Sequence, residues 1–106
     1  MDTDVKIKNS MGKILRLFRI ARDMSIKELA EKMQVSSSYI SDVERGVRNP
    51  SIETCKKYSD AFGVPLSVII FFDEELTEHG YNYRKLLISI LKKVELIDNE
   101  RDEEVF

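Results

Sequence analysis

The sequence predicts an all-α fold, and three observations support this prediction. Apolar residues recur every three or four positions along most of the 106 residues, which is the spacing of one helix face. Serine or asparagine precedes several of these runs, as is typical of helix N-caps. Of the four glycines and two prolines, all but Gly12 fall between the runs. No segment shows the apolar–polar alternation of a half-buried strand.

The first two helices are predicted within the N-terminal third of the chain. Residues 1–10 are polar and predict a flexible N-terminal arm. Ser10 then precedes an apolar stripe that predicts a helix over residues 11–22. Ser25 is the expected N-cap of the second helix, and Glu28 three residues later completes a capping-box pattern.

The third and fourth helices have signals at both ends. Ser36 is the expected N-cap of a helix over residues 36–45, and Gly46 follows where a left-handed C′ residue belongs. The fourth helix is expected to start after Ser51 and to end at Gly63. Both helices are therefore predicted to be short, with a tight turn on each side.

The C-terminal part is predicted to contain two more helices separated by a linker. Pro65 suits the first position of a short fifth helix, although the apolar run 66–72 also fits a buried strand. Residues 73–81 predict an acidic linker. Residues 82–98 predict an amphipathic helix, and the charged residues 99–106 predict a frayed tail.

Composition excludes several classes of protein. One cysteine and one histidine exclude a disulfide framework and a His/Cys metal cluster, and no nucleophile is paired with a base. The sequence therefore predicts no enzyme, no metal and no cofactor. It has neither a signal peptide nor an apolar stretch of about 18 residues, so a cytoplasmic protein without a membrane partner is expected. Residues 1–50 carry a surplus of three positive charges, whereas residues 51–106 carry a surplus of five negative charges.

Two short helices joined by a tight turn are typical of the helix-turn-helix unit, although an ordinary α-hairpin has the same spacing. The residues themselves favour the first interpretation. From Met11 to Ile69 the chain resembles the phage repressor and Cro-like (XRE-type) helix-turn-helix family, and SSSYISDVERGVRNPS is the most specific string. The other match points are Gly12, Leu15, Phe18, Arg19, Leu29, Ala30, Val35, Val64 and Leu66.

This resemblance implies a five-helix DNA-binding domain over residues 11–72, with the helix at 36–45 in the major groove of double-stranded DNA. It implies base contacts by Ser37, Ser38, Ser41 and Asp42. It implies phosphate contacts by Ser25, Lys27, Ser36, Arg45, Arg48 and Asn49. It also implies a structural ion pair between Arg19 and Glu44.

The sequence departs from the family pattern at three positions. The family commonly has a glutamine that reaches a DNA phosphate where this chain has Ile26, which cannot form a hydrogen bond through its side chain. Asp23 and Gln34 occupy turn positions that glycine often fills. These departures bear on how DNA docks rather than on the fold.

The predicted function is a repressor-like transcriptional regulator that binds a palindromic operator as a homodimer. The apolar stripe of the last helix predicts the dimer interface, although the same stripe also fits an intramolecular cap on a monomer. The stripe consists of Leu86, Leu87, Ile90, Leu91, Val94 and Ile97. The alternative function is a protein-interaction adaptor, or an antitoxin-like partner binder, that uses this helix to bind another protein.

Overall fold

A computed structural model describes residues 2–79 and 82–104, with side chains over residues 11–78 and 82–100. The helices are α1 (Asp2–Ala21), α2 (Ile26–Met33), α3 (Ser37–Glu44), α4 (Ile52–Phe62), α5 (Leu66–His79) and α6 (Tyr83–Glu104). The described residues contain no strand, so the all-α prediction is confirmed and the strand interpretation of residues 66–72 is wrong. None of the described helices has the length and apolar character needed to cross a bilayer.

Helix α1 lies at the centre of the fold and packs against α3, α4, α5 and α6. Its Phe18 is fully buried and stacks on Phe62 of α4, with 5.7 Å between the ring centroids. The same ring meets Phe72 of α5 edge to face at 5.8 Å. Because three helices contribute to this aromatic cluster, it ties the N-terminal and C-terminal parts of the chain to one core.

The backbones of α1 and α3 approach each other very closely at Gly12. A Cβ atom added at this position would lie 2.3 Å from the carbonyl oxygen of Val43. Glycine is therefore required there by the packing of two helices, and this explains one of the match points in the sequence. The close approach fixes the position of α3 relative to the centre of the domain.

The N-caps at the starts of four helices are present in the structure. The side chains of Ser25, Ser36 and Ser51 each accept a hydrogen bond from a backbone amide three residues later. At the start of α6, Asn82 Oδ1 accepts a hydrogen bond from the backbone amide of Lys85 at 3.1 Å. These local interactions place the beginnings of four helices where the sequence predicts them.

Helix α1 begins at Asp2, so the predicted arm over residues 1–10 is wrong for residues 2–10 and Ser10 lies inside the helix. Residues 2–10 contain neither glycine nor proline, and adding residues to an existing helix costs less than starting one.

The predicted linker and tail are also too long. Helix α5 continues to His79 instead of ending near residue 72, because Leu76 adds one more buried position after Phe72. Helix α6 continues to Glu104, whereas a frayed tail was expected from residue 99. No glycine or proline occurs within either extension.

Helix α6 packs its apolar stripe against the domain to which it belongs. Ile90 and Val94 are buried, and Leu86, Leu87 and Ile97 are partly buried against the same core. Five of the six residues predicted for the dimer interface are thus covered within the chain, which corresponds to the intramolecular alternative. The sixth, Leu91, is 44% exposed.

Arg22 attaches the far end of α6 to the core. Its guanidinium forms a bidentate pair with Asp98, with N–O distances of 2.7 and 3.0 Å. Its Nε also donates to the carbonyl oxygen of Phe62 at 2.6 Å, at the C-terminal end of α4. One side chain therefore connects α1, α4 and α6.

Candidate nucleic-acid interface

Helix α3 presents its first turn to solvent. Ser36 Oγ accepts the amide hydrogen of Tyr39 at 3.0 Å, and the side chains of Ser37 and Ser38 are exposed. Ile40 and Val43 on the opposite side of the helix are fully buried. The exposed turn therefore offers hydroxyl groups and backbone amides, and both can form hydrogen bonds with a nucleic acid.

One turn later the predicted base-contacting residues are less accessible. Ser41 and Asp42 are only partly exposed. The carboxylate of Asp42 forms a salt bridge with Arg45, so a predicted base contact and a predicted phosphate contact neutralise each other in the free protein. Ser37 and Ser38 are therefore accessible polar side chains, whereas the carboxylate of Asp42 is already engaged in a salt bridge.

The loop after α3 holds two more predicted contacts in exposed positions. Gly46 has a φ of 79°, in the left-handed region that favours glycine. The backbone amide of Arg48 then donates to the carbonyl oxygen of Asp42 at 3.2 Å, which folds the loop back onto α3. The Arg48 guanidinium lies over the Tyr39 ring, 5.3 Å from its centroid, while Asn49 is exposed beside it. This cation–π contact holds the Arg48 charge next to α3.

The start of α2 contributes one exposed cation and a capping box. Lys27 is exposed in the first turn. Ser25 Oγ accepts the amide hydrogen of Glu28 at 3.0 Å, and the Ser25 amide donates to the Glu28 carboxylate at 2.8 Å. Hydrogen bonds that Ser25 donates to the Glu28 carboxylate, first from its backbone amide and then from its side chain, lower the pKa of Glu28 below its ordinary value of 4.5.

An ion pair braces α3 against α1. Arg19 Nε and Nη2 donate to the two carboxylate oxygens of Glu44 at 2.7 and 3.0 Å. The side chains are 13% and 6% exposed, respectively. The hydrogen bond to Glu44 is the largest reason why the pKa of Arg19 is raised. A third bond runs from Arg19 Nη1 to the carbonyl oxygen of Met24 at 2.9 Å, so the turn before α2 is held by the same side chain.

The turns that flank α2 adopt left-handed backbone geometry without glycine. Asp23 and Gln34 have φ values of 55° and 60°. The amide of Val35 donates to the carbonyl oxygen of Ala30 at 3.0 Å across the second turn. Both turns therefore form despite the departures from glycine noted in the sequence, and the second one joins α2 to α3.

Sequence patterns missed two arginines that lie beside carboxylates in the structure. Arg22 binds Asp98, which lies 76 residues away in sequence, and no local motif reports such a pair. Arg16 lies beside Glu44 with an N–O distance of 4.0 Å, although the sequence interpretation assigns it no role. Helical spacing from Gly12 and Arg19 places Arg16 on the side of α1 that faces α3, and this signal was available.

Comparison with known proteins places these elements in a family. Residues 15–69 match the model of the helix-turn-helix family. The chain is 44% identical over 66 residues to the HTH-type transcriptional regulator SlrR of Bacillus subtilis, covering 61% of this chain and 42% of that protein. It is 30% identical over 98 residues to the immunity repressor protein of Bacillus phage phi105, covering 89% of this chain and 66% of that protein.

A solved structure shows the same arrangement of helices. The clp gene regulator ClgR from C. glutamicum superimposes with a TM-score of 0.59 at 31% sequence identity, covering 61% of this chain and 84% of the other. The chain spans about two fifths to two thirds of the length of the two curated relatives described above.

Proposed function

Because the chain belongs to the phage repressor/Cro-like (XRE-type) helix-turn-helix family, we propose that it is a DNA-binding, repressor-like regulator of transcription. The observation that carries this proposal is the presentation of α3. Its first turn is exposed, its inner face is buried, and the Arg19–Glu44 pair fixes it to α1. A helix held in this way is suited to enter the major groove without rearrangement.

Sequence recognition in this proposal depends mainly on the opening of α3. Ser37 and Ser38 donate to or accept from base edges, and serine discriminates only weakly among bases. Asp42 accepts from the amino group of cytosine only after it exchanges its salt bridge with Arg45. We therefore expect bridging water and the shape of the operator to supply part of the specificity.

Affinity in this proposal comes from contacts with the DNA backbone. Lys27, Arg45, Arg48 and Asn49 supply charged or polar side chains, and all four are exposed. The amides at the starts of α2 and α3, next to Ser25 and Ser36, supply helix N-termini that favour phosphate. Each phosphate that a cation neutralises adds to the salt dependence of binding.

The proposal includes a homodimer on a palindromic operator. Helix α6 keeps three aliphatic side chains exposed after it packs on its own domain, namely Ile88, Leu91 and Leu96 at 47%, 44% and 57%. Contact between these residues and their copies across a two-fold axis would remove them from water. Two recognition helices would then reach half-sites about 34 Å apart.

A groove between α5 and α6 favours the adaptor as a second candidate function. The groove has a volume of about 620 Å³. Phe71, which is 56% exposed, and Leu96 lie in its wall, and its charged lining consists of three lysines and one glutamate, namely Lys85, Lys92, Lys93 and Glu75. Such a mixture of apolar and basic side chains suits an acidic, amphipathic peptide segment.

Selection of DNA fragments from a random library with the purified chain tests the main proposal. We expect enrichment of one palindromic sequence. Ser38→Asp provides the matched control, because an acidic residue in the first turn favours the helix but repels DNA. This variant should melt at or above the temperature of the unaltered chain and enrich nothing. If the unaltered chain enriches nothing even at low salt, where phosphate attraction is strongest, the DNA-binding proposal is wrong and the adaptor is favoured.

A further inference from the structure

A shallow depression lies where α1, the first residue of α2 and the end of α3 meet. Its volume is about 460 Å³. Arg16, Ile26, Ser41, Glu44 and Arg45 line it. It adjoins the face of α3 that the proposed function assigns to DNA, and Ile26 occupies the position where a phosphate-binding side chain is missing from this sequence.

The two arginines of α1 share one carboxylate. Both oxygens of Glu44 accept short hydrogen bonds from Arg19, at 2.7 and 3.0 Å. Arg16 Nε reaches only to 4.0 Å from one of these oxygens, and its side chain is 52% exposed. The three groups together carry one surplus positive charge, and this charge lies on the more exposed side chain, Arg16.

The other lining residues do not cancel this charge. Arg45 is paired with Asp42, so that pair is neutral. Ser41 contributes a hydroxyl group that can donate a hydrogen bond. The partly buried side chain of Ile26 contributes apolar surface, and electrostatic interactions are stronger beside such surface than in open water.

We propose that this depression binds one phosphodiester group of the DNA backbone, with Arg16 as its principal cation. One surplus positive charge matches the single negative charge of a phosphodiester. A planar guanidinium donates two parallel hydrogen bonds to two phosphate oxygens. Arg16 on α1 thereby supplies the backbone contact that Ile26 on α2 cannot make. This inference rests on the proposed DNA binding and adds a residue to which no sequence motif points.

Binding of Arg16→Gln to duplex DNA across a series of salt concentrations tests the inference, with fluorescence anisotropy as the measurement. The plot of log affinity against log salt should become shallower by about 0.9, the value for one lost phosphate contact. At low salt the dissociation constant should rise about tenfold on operator and unrelated DNA alike. Arg84→Gln is the matched control, since it removes an exposed arginine from α6 and should leave the slope unchanged.

Two further measurements keep the outcomes distinct. Arg16→Lys retains the charge and should restore most of the slope, while the melting temperatures of all three variants report whether the fold is intact. If Arg16→Gln has the same slope as Arg84→Gln, or weakens the operator complex alone, the phosphate assignment is wrong. If the unaltered chain binds no DNA at all, the proposed function fails, and the phosphate site fails with it.

Discussion

The pair of Arg19 and Glu44 illustrates how individual side chains control the position of α3. A buried ion pair adds little net stability, because the desolvation of both charges offsets their attraction. Removal of one partner lowers the free energy of unfolding, because the remaining charge stays unpaired in a site that excludes water. Glu44 is 6% exposed and binds two nitrogens of Arg19, so Arg19 would be left with donors that no carboxylate satisfies.

Glu44→Ala should therefore lower the free energy of unfolding by about 3 kcal/mol, the lower end of the range for breaking one side of a buried pair. The lower end is appropriate because Arg19 keeps its bond to the Met24 carbonyl. Urea unfolding followed by circular dichroism measures the change. Glu31→Ala removes an exposed glutamate from α2 and is the control. Equal midpoints for the two variants would show that the pair does not brace the fold.

Arg48 is held over the Tyr39 ring, and we propose that it contacts the DNA backbone rather than the bases. Arg48→Ala should weaken binding to operator and unrelated DNA by similar factors and reduce the salt slope by about one, as for a phosphate contact. Ser38→Ala should instead change base preference, with a discrimination of about 1–3 kcal/mol lost if the contact is direct. Competition binding with single-base operator variants measures both. A loss for Arg48→Ala on the operator alone would contradict its assignment to the backbone.

At the scale of single elements, local chemistry made the starts of α2, α3 and α4 predictable, whereas the start of α1 at Asp2 was not predicted. Ser25, Ser36 and Ser51 each cap a helix through the amide three residues later, so the signal lies within four residues of sequence. The starts of α2, α3 and α4 are therefore where the sequence predicts them. The ends of α5 and α6 have no such capping signal, and the polar composition of the segments that contain them did not predict where they lie. The end of α5 depends on Leu76, which is buried by tertiary packing within an acidic stretch.

In the candidate site, too, some features follow from local sequence and others only from tertiary packing. Side chains in the motif, such as Ser37, Ser38 and Arg48, are exposed as the resemblance implies. The role that we propose for Arg16 depends on Glu44, 28 residues away, and on the fact that Arg19 already occupies that carboxylate. Helical spacing places Arg16 on the side of α1 that faces α3, but competition of two arginines for one carboxylate is a property of the folded chain.

The capping box of α2 makes one helix sensitive to acid. The pKa of Glu28 is lower in the folded chain than its ordinary value of 4.5, so its contribution to stability is present above that value. The contribution is lost as the pH falls through the lowered pKa of the folded state. Glu28→Gln removes the charge, so the variant should melt below the unaltered chain at neutral pH, and the two melting temperatures should converge in acid. A difference that stays constant from neutral pH to acid would contradict this origin.

At the scale of the whole molecule, α6 is part of the domain rather than a detachable extension. Ile90 and Val94 are buried, and Arg22 connects α6 to the end of α4. Removal of α6 would expose the core and would confuse a loss of folding with a loss of dimerisation. The oligomeric state is therefore better tested with single substitutions on the outer face of the helix.

Ile88 and Leu91 are three residues apart on that outer face, and a two-fold contact would bring each close to its copy. Leu91→Glu would place two like charges in an interface that excludes water, which costs free energy in the dimer but not in the monomer. Sedimentation should show the unaltered chain as a dimer and the variant as a monomer at equal concentration. The variant should also lose affinity for the full palindrome while it binds an isolated half-site as well as the unaltered chain does. Ile70→Glu changes a similarly exposed side chain on α5 and should leave the dimer intact. A dimer that survives Leu91→Glu would show that the two-fold contact lies elsewhere. An unaltered chain that sediments as a monomer at high concentration would contradict the homodimer.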